Sequence, residues 1–282
     1  MNPSNPSNTV RTAILKSGII VACLVVLYFH VLHGLVSDWI HMPDFSHGFL
    51  IPFVSIYFIY ERRNQLKTLP LSGNWVGLGW LILGVVLLFI GKIAYQWFTM
   101  EFSMLVVLCG IILYLLGKEF LRMLFFPLCF LIFMIPLPSI LMQQITFPMQ
   151  LFASKVAGGF LYFIGIPALR EGNVILLANT SLEVAEACSG IRSLISLLAL
   201  SVVFAYFSQK TTLKRLLLIL STFPIAIIAN AARVTGTGIL AHHYGDNVAQ
   251  GFFHSFSGWI LFVVAFICLF IVGSLLSRIR KS

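Results

Sequence analysis

Charge is what this sequence has least of. Only 10% of its 282 residues are Asp, Glu, Lys or Arg, and just nine of these are acidic. Soluble domains carry charge at about 25% of positions, so a water-facing surface over most of the chain is excluded. Cysteine is present but unorganised: the five, at 23, 109, 129, 188 and 268, form no CxxC pair. That removes thioredoxin-type redox pairs, zinc ribbons and a disulfide framework. No internal repeat is visible either. His242, His243 and His254 lack the usual zinc-ligand spacings, and adjacent histidines point apart on regular structure. No metal and no cofactor is expected.

Hydrocarbon is what the chain has in abundance. Apolar residues make up 59% of it, with 26 phenylalanines, the composition of a polytopic membrane protein. The net charge of +9 raises the question of a nucleic-acid partner, yet the basic residues sit in short clusters between apolar runs. That is the positive-inside pattern, and no nucleic-acid partner is expected. Four of the cysteines lie inside apolar runs, where cysteine acts as a small hydrophobe. Only Cys188 has polar company.

Apolar runs at 18 to 37, 46 to 60, 75 to 95, 102 to 117, 121 to 141, 188 to 207, 213 to 232 and 256 to 276 predict eight transmembrane helices. The first follows Arg11 and Lys16 without a small-x-small cleavage site, so it is expected to stay as a helix. Pro52 falls inside the second and would need relief from neighbouring helices. Placing the N-terminus in the cytoplasm puts thirteen of the eighteen basic residues inside. The C-terminus is then cytoplasmic too.

Residues 142 to 187 do not fit another crossing, which would carry Lys210, Lys214 and Arg215 outside. They are expected to remain on the outer side. Gln143, Gln144, Gln150, Ser154, Lys155 and Gly158 recur at helical spacing against Phe147, Leu151, Phe152, Val156 and Phe160, which predicts an interfacial helix. Two short strands follow, Asn173 to Leu177 and Ser181 to Ala187, turning at Asn179 and Thr180. "IPLP" at 135 to 138 should end the fifth helix. The expected fold is an all-α polytopic membrane protein with about eight transmembrane helices, an outer interfacial helix and a short β-hairpin before the sixth span. Residues 1–17 form a cytoplasmic tail and 18–282 one integral-membrane domain.

This topology brings three polar residues to one depth: Cys188 at the outer start of the sixth helix, Arg233 at the outer end of the seventh, and His254 just before the eighth. A thiol at a helix N-terminus is pushed towards thiolate by the exposed N–H groups and the dipole. An imidazole can take the thiol proton and return it to a leaving amine. A guanidinium holds a carbonyl or stabilises the oxyanion of a tetrahedral intermediate. Arg192, one turn beyond Cys188, either reaches towards Glu183 or Glu186 or further favours the thiolate. Asn230 shares a helix face with Arg233, where its amide can orient the guanidinium.

Each residue alone has a plainer reading: packing for the thiol, a snorkelling anchor for the arginine, an aromatic-belt residue for His254. Their coincidence at one depth favours acyl transfer through a thioester. A secondary transporter is the alternative from another class, but it calls for inverted repeats or a polar site near the midplane. A serine protease using Ser189 or Ser257 with His254 leaves Cys188 and Arg233 unexplained.

"EACSGIRS", "NAARVTGTGIL" and "HSFSGW", with the upstream "DFSHGFLIPFVSIYFIYERR" and "FMIPLPS", together resemble the exosortase/archaeosortase family of membrane-embedded, sortase-like transpeptidases. The resemblance implies that Cys188 is the nucleophile, His254 the acid/base and Arg233 the transition-state or substrate-orienting residue, in a single catalytic domain. It implies exported protein substrates with a C-terminal sorting signal of the PEP-CTERM type: a Pro-Glu-Pro-like motif, a hydrophobic helix and a basic tail. These would be cleaved and passed to an unknown acceptor nucleophile at the outer face of a bacterial inner membrane, in contact with membrane lipid. Lys155 and Arg170 are candidates to attract the motif's glutamate. The chain ends just after its eighth span, so the additional C-terminal domain of some exosortases is not expected.

Overall fold

The computed structural model describes residues 6–178, 181–184, 191–245 and 252–278, with side chains outside the description at 6–17, 43–44, 183, 191–193 and 252–257. The chain divides into two compact units, Met1–Pro136 and Leu137–Ser282.

In the first unit, α1 (Pro6–His41) leads through a 3₁₀ segment (Pro43–Phe49) into α2 (Leu50–Glu61) and a single turn, α3 (Arg63–Leu66). Then come α4 (Val76–Ile93), α5 (Trp97–Leu115), α6 (Lys118–Phe130) and a 3₁₀ turn (Leu131–Met134). Pro52 stands in the first turn of α2, where a missing N–H is not felt, so it needs no relief from neighbours. The proline with a real deficit is Pro127, inside α6. It cannot donate to the carbonyl of Met123, and Arg62 does so instead, Nη1 to O at 2.6 Å.

The α4–α5 hairpin is packed backbone to backbone. Gly77, Gly84 and Gly91 recur every seven residues on the buried side of α4. A Cβ on Gly77 would run into the Tyr114 backbone, one on Gly84 into Val107, and one on Gly91 would lie 2.7 Å from Met100 Cγ. Small residues are how helices approach closely where hydrocarbon surrounds them. Tyr95 makes the tight turn with φ of 52°, and Gln96 caps α5 by accepting from the Thr99 N–H at 3.2 Å.

In the second unit, α7 (Ser139–Phe163) precedes a three-stranded antiparallel sheet, β1 (Ala168–Glu171), β2 (Val174–Leu177) and β3 (Ser181–Glu183). Helices α8 (Ile191–Ser208), α9 (Thr212–Tyr244) and α10 (Phe252–Arg278) follow. The expected two-strand hairpin is therefore a meander with one more strand. Glu171 pairs with Val174 across Gly172 and Asn173, and Gly172 has φ of 63°. This is the two-residue turn that takes glycine first. One sheet face buries Ile175, Leu177, Leu182 and Val184 in a cluster with Ala153, Ala157 and Leu161 of α7 and Val234 and Ala241 of α9. Ser154 ties the hairpin tip to α7 by donating to the Gly172 carbonyl at 2.9 Å.

On α7 the polar and small positions Gln150, Ser154 and Gly158 are buried, while Phe147, Phe152 and Phe160 are exposed. Polar residues on the protein side and phenyl rings outside is the arrangement hydrocarbon surroundings favour. "IPLP" does separate α6 and its 3₁₀ turn from α7.

Five helices among the described residues are long and apolar enough to cross a membrane: Gly18–His41, Val76–Ile93, Trp97–Leu115, Thr212–Tyr244 and Gly258–Arg278. There are six if the helices either side of "IPLP" make one span. The expected eight are not reached on this criterion. At 12 residues α2 covers only about 18 Å of the roughly 30 Å hydrocarbon core, and Leu194–Ser208 is a shorter apolar helix.

Candidate functional site

Helix α9 carries the described part of the site. It was expected to stop near residue 232, which would have put Arg233 at a helix end. Instead it continues to Tyr244, eleven residues past Arg233, or about 16 Å. The polar residues that looked like a terminus are satisfied inside the helix: Thr235 Oγ1 donates to the Ala231 carbonyl at 2.8 Å and Thr237 Oγ1 to the Arg233 carbonyl at 3.0 Å. Gly245, with φ of 81°, then closes the helix. His242 and His243, which fall between the expected seventh and eighth spans, form its last turn with ring centroids 5.0 Å apart.

Arg233 is half-buried, and its Nη2 donates to Asn230 Oδ1 at 3.0 Å. Asn230 is buried, at 5% exposure. The amide therefore holds one edge of the guanidinium, as the three-residue spacing predicted. From the facing helix, Gly258 approaches the other side: a Cβ there would lie 3.5 Å from Arg233 Nη1. Position 254 of α10 is one helical turn from Gly258 on the same helix face. His254 thus belongs to the first turn of α10 rather than preceding the helix.

Cys188 and Glu186 lie outside the described residues. So do the side chains of Glu183 in β3, Arg192 in the first turn of α8 and His254. The described chain brackets the cysteine. On one side Val184 shares a hydrophobic cluster with Val234, the neighbour of Arg233; on the other, α8 begins at Ile191 and its Leu197 lines a cavity with Arg233. Asn173 fixes the last bracketed residue, accepting from the Val184 N–H at 2.9 Å. Lys155 is exposed on α7, and Arg170 Nη1 donates to the Gly172 carbonyl at 3.0 Å.

Inward from Arg233 lies a small cavity of about 20 Å³, room for about one water, between α8, α9 and α10. Asn230, Arg233 and Gly258 stand at one end and Ala226 and Ala265 at the other. Neither Gly258 nor this cavity was foreseen from sequence. Among the described residues no group of three or more His, Cys, Asp or Glu is placed to hold a metal ion.

The profile of the transmembrane exosortase family matches residues 39–271, most of the chain. Comparison with curated proteins and with solved structures gave no match.

Proposed function

Since this chain belongs to the transmembrane exosortase family, we propose that it is a membrane cysteine transpeptidase with Cys188, Arg233 and His254 as its catalytic residues. It cleaves a C-terminal sorting signal of the PEP-CTERM type from exported proteins and transfers them to an acceptor nucleophile. The observation that carries this reading is the close approach of Gly258 to Arg233, where a Cβ would lie 3.5 Å from Nη1, because position 254 is one helical turn from Gly258 on the facing helix.

The Cys188 sulfur attacks the scissile carbonyl carbon as its proton passes to His254. The C=O pair moves onto oxygen, and Arg233 stabilises that oxyanion, its guanidinium held by Asn230. When the tetrahedral intermediate collapses, the C–N bond breaks and the imidazolium gives its proton to the leaving amine. A thioester remains. The acceptor then attacks it, gives its proton to His254 and releases the thiol. Arg192, with Glu183 and Glu186, supports the cysteine segment.

The distribution of basic residues supports a topology with both termini in the cytoplasm and the site towards the outer face, and in this reading the membrane is a bacterial inner membrane. A substrate anchored there by one apolar helix is delivered by tethering, which raises its effective concentration. Residues 18–282 then act as one catalytic domain, with 142–187 on the outer side. Co-expression with a tagged sorting-signal substrate tests the reading. Cys188→Ala, Arg233→Ala and His254→Ala should each abolish processing while the protein stays in the membrane. Wild-type processing by membrane-inserted Cys188→Ala refutes the assignment.

A further inference from the structure

We propose that the helix ends joined by Arg62 form a binding site for the phosphate headgroup of an anionic phospholipid. The site lies wholly in the first unit and does not depend on the transpeptidase reading. Arg62 Nη1 donates to the Met123 carbonyl at 2.6 Å, which fixes the end of α2 against α6. Arg63 and Arg122, the next residues along, are thereby brought to the same end of the unit. Lys67 lies one turn beyond Arg63, its N–H donating to the Arg63 carbonyl at 3.2 Å, and Lys118 lies one turn before Arg122 on α6. The chain after α3 is tied to the start of α6 as well, since the Ser72 N–H donates to the Leu116 carbonyl at 3.2 Å.

Arg63, Lys67, Lys118 and Arg122 are all exposed. They make two pairs of like charge at the four-residue spacing, an arrangement that weakens a helix. Glu61 and Glu119 stand beside them, but with Arg62 counted, five cations against two acids leave a charge of +3. A phosphodiester between the pairs turns both repulsions into attraction. Arg63 is already set to meet one: its guanidinium lies 4.0 Å over the Tyr60 ring, and Nη1 donates to the Tyr60 carbonyl at 3.0 Å. A guanidinium held this way loses little freedom on pairing with phosphate.

The surroundings select a lipid over a soluble anion. Tyr60 and Trp75 are exposed beside the cluster, and Trp75 stands edge-on to Tyr114 with ring centroids 5.7 Å apart. Exposed Trp and Tyr mark the headgroup level of a membrane. Hydrocarbon begins directly beyond it, because Phe125 is exposed one turn from Arg122 on the same face of α6. A phosphate carrying acyl chains meets both the cations and this apolar surface, whereas a free phosphate or a nucleotide meets only the first. Basic clusters between helix ends on the cytoplasmic side bind acidic headgroups, and the topology proposed above puts this cluster there.

The experiment titrates the full-length protein in detergent with dioleoylphosphatidylglycerol or the matching phosphatidylcholine and counts bound lipid by native mass spectrometry. The wild type should prefer phosphatidylglycerol. Each cation near an anionic headgroup is worth about fivefold in affinity, so Lys118→Gln with Arg122→Gln should weaken that binding about 25-fold and leave phosphatidylcholine unaffected. Arg63→Gln with Lys67→Gln should do the same from the other helix end, and decides the matter should the first variant fail to fold. Lys92→Gln with Lys210→Gln removes the same charge from exposed positions outside the cluster and should leave the affinity unchanged. Equal losses in this control show attraction to net charge alone and overturn the site, as does equal affinity of the wild type for the two lipids. If millimolar inorganic phosphate displaces the phosphatidylglycerol, the site belongs to a soluble phosphate and the lipid is overturned.

Discussion

Removing the Asn230 side chain tests whether Arg233 works as a free cation or as an aimed one. The structure gives one hydrogen bond to lose, Arg233 Nη2 to Asn230 Oδ1 at 3.0 Å. A hydrogen bond to a charged group is worth about 1.5–3 kcal/mol, which corresponds to about 10- to 150-fold in rate. Because Arg233 is only half-buried, water can take over part of that bond, so Asn230→Ala should slow processing by about tenfold, the low end of the range. If the amide acts through the guanidinium, the loss falls mainly on turnover, with substrate affinity little changed. The cycle with Arg233→Ala is sharper still: once the arginine is gone, removing Asn230 as well should have almost no further effect. Single-turnover cleavage in proteoliposomes, with protein levels matched, measures all four forms. Additive losses in the double variant refute the coupling, as does an Asn230→Ala rate within twofold of wild type.

Gly258→Ala places its Cβ 3.5 Å from Arg233 Nη1, an ordinary contact, so processing should persist; Gly258→Leu drives atoms into the guanidinium and should suppress it, and equal activity of the two would contradict the close approach. Gly84→Ala puts a Cβ 3.0 Å from the Val107 amide nitrogen, with the Val107 side chain closer still. It should destabilise the protein by about 1–3 kcal/mol, read as a lower thermal midpoint in detergent; an unchanged midpoint contradicts the backbone packing of α4 on α5. Glu101 is buried at 1% exposure with neither carboxyl oxygen hydrogen-bonded among the described residues. Glu101→Leu should therefore raise the midpoint, by about 1–3 kcal/mol of stability, and a fall would show that the carboxyl group has a partner worth keeping.

Length and hydropathy made the long helices legible, because a run of twenty apolar residues has few other solutions. The same criterion misjudged α9. "ARVTGTG" reads as a terminus on composition, yet its threonines bond back to helix carbonyls, and Gly238 is a contact point, with a Cβ there 2.8 Å from Leu161 Cδ1. Strand β1 was hidden by its exposed Arg170 and Glu171, although Gly172–Asn173 carried the turn signal. Asn230 and Arg233 could be paired from spacing alone, since both lie on one helix. Gly258 could not, because its significance comes from a partner 25 positions away on another helix.

That difference explains why the cavity had no trace in the sequence. Alanines at 226, 229 and 265 are ordinary membrane-helix residues, and only their convergence on one space makes them a feature. The extension of α9 beyond Arg233 matters for the same reason. An arginine at a frayed helix end would find water and move. Within α9 it has a rigid backbone on both sides, an amide on one edge and a glycine of α10 against the other. In the proposed mechanism this is an advantage, since electrostatic stabilisation of an oxyanion is strongest when the donor is already in place. The sheet serves the same end from its own side: by packing Val184 into the cluster that contains Val234, it begins the segment bearing Cys188 beside the helix that carries Arg233.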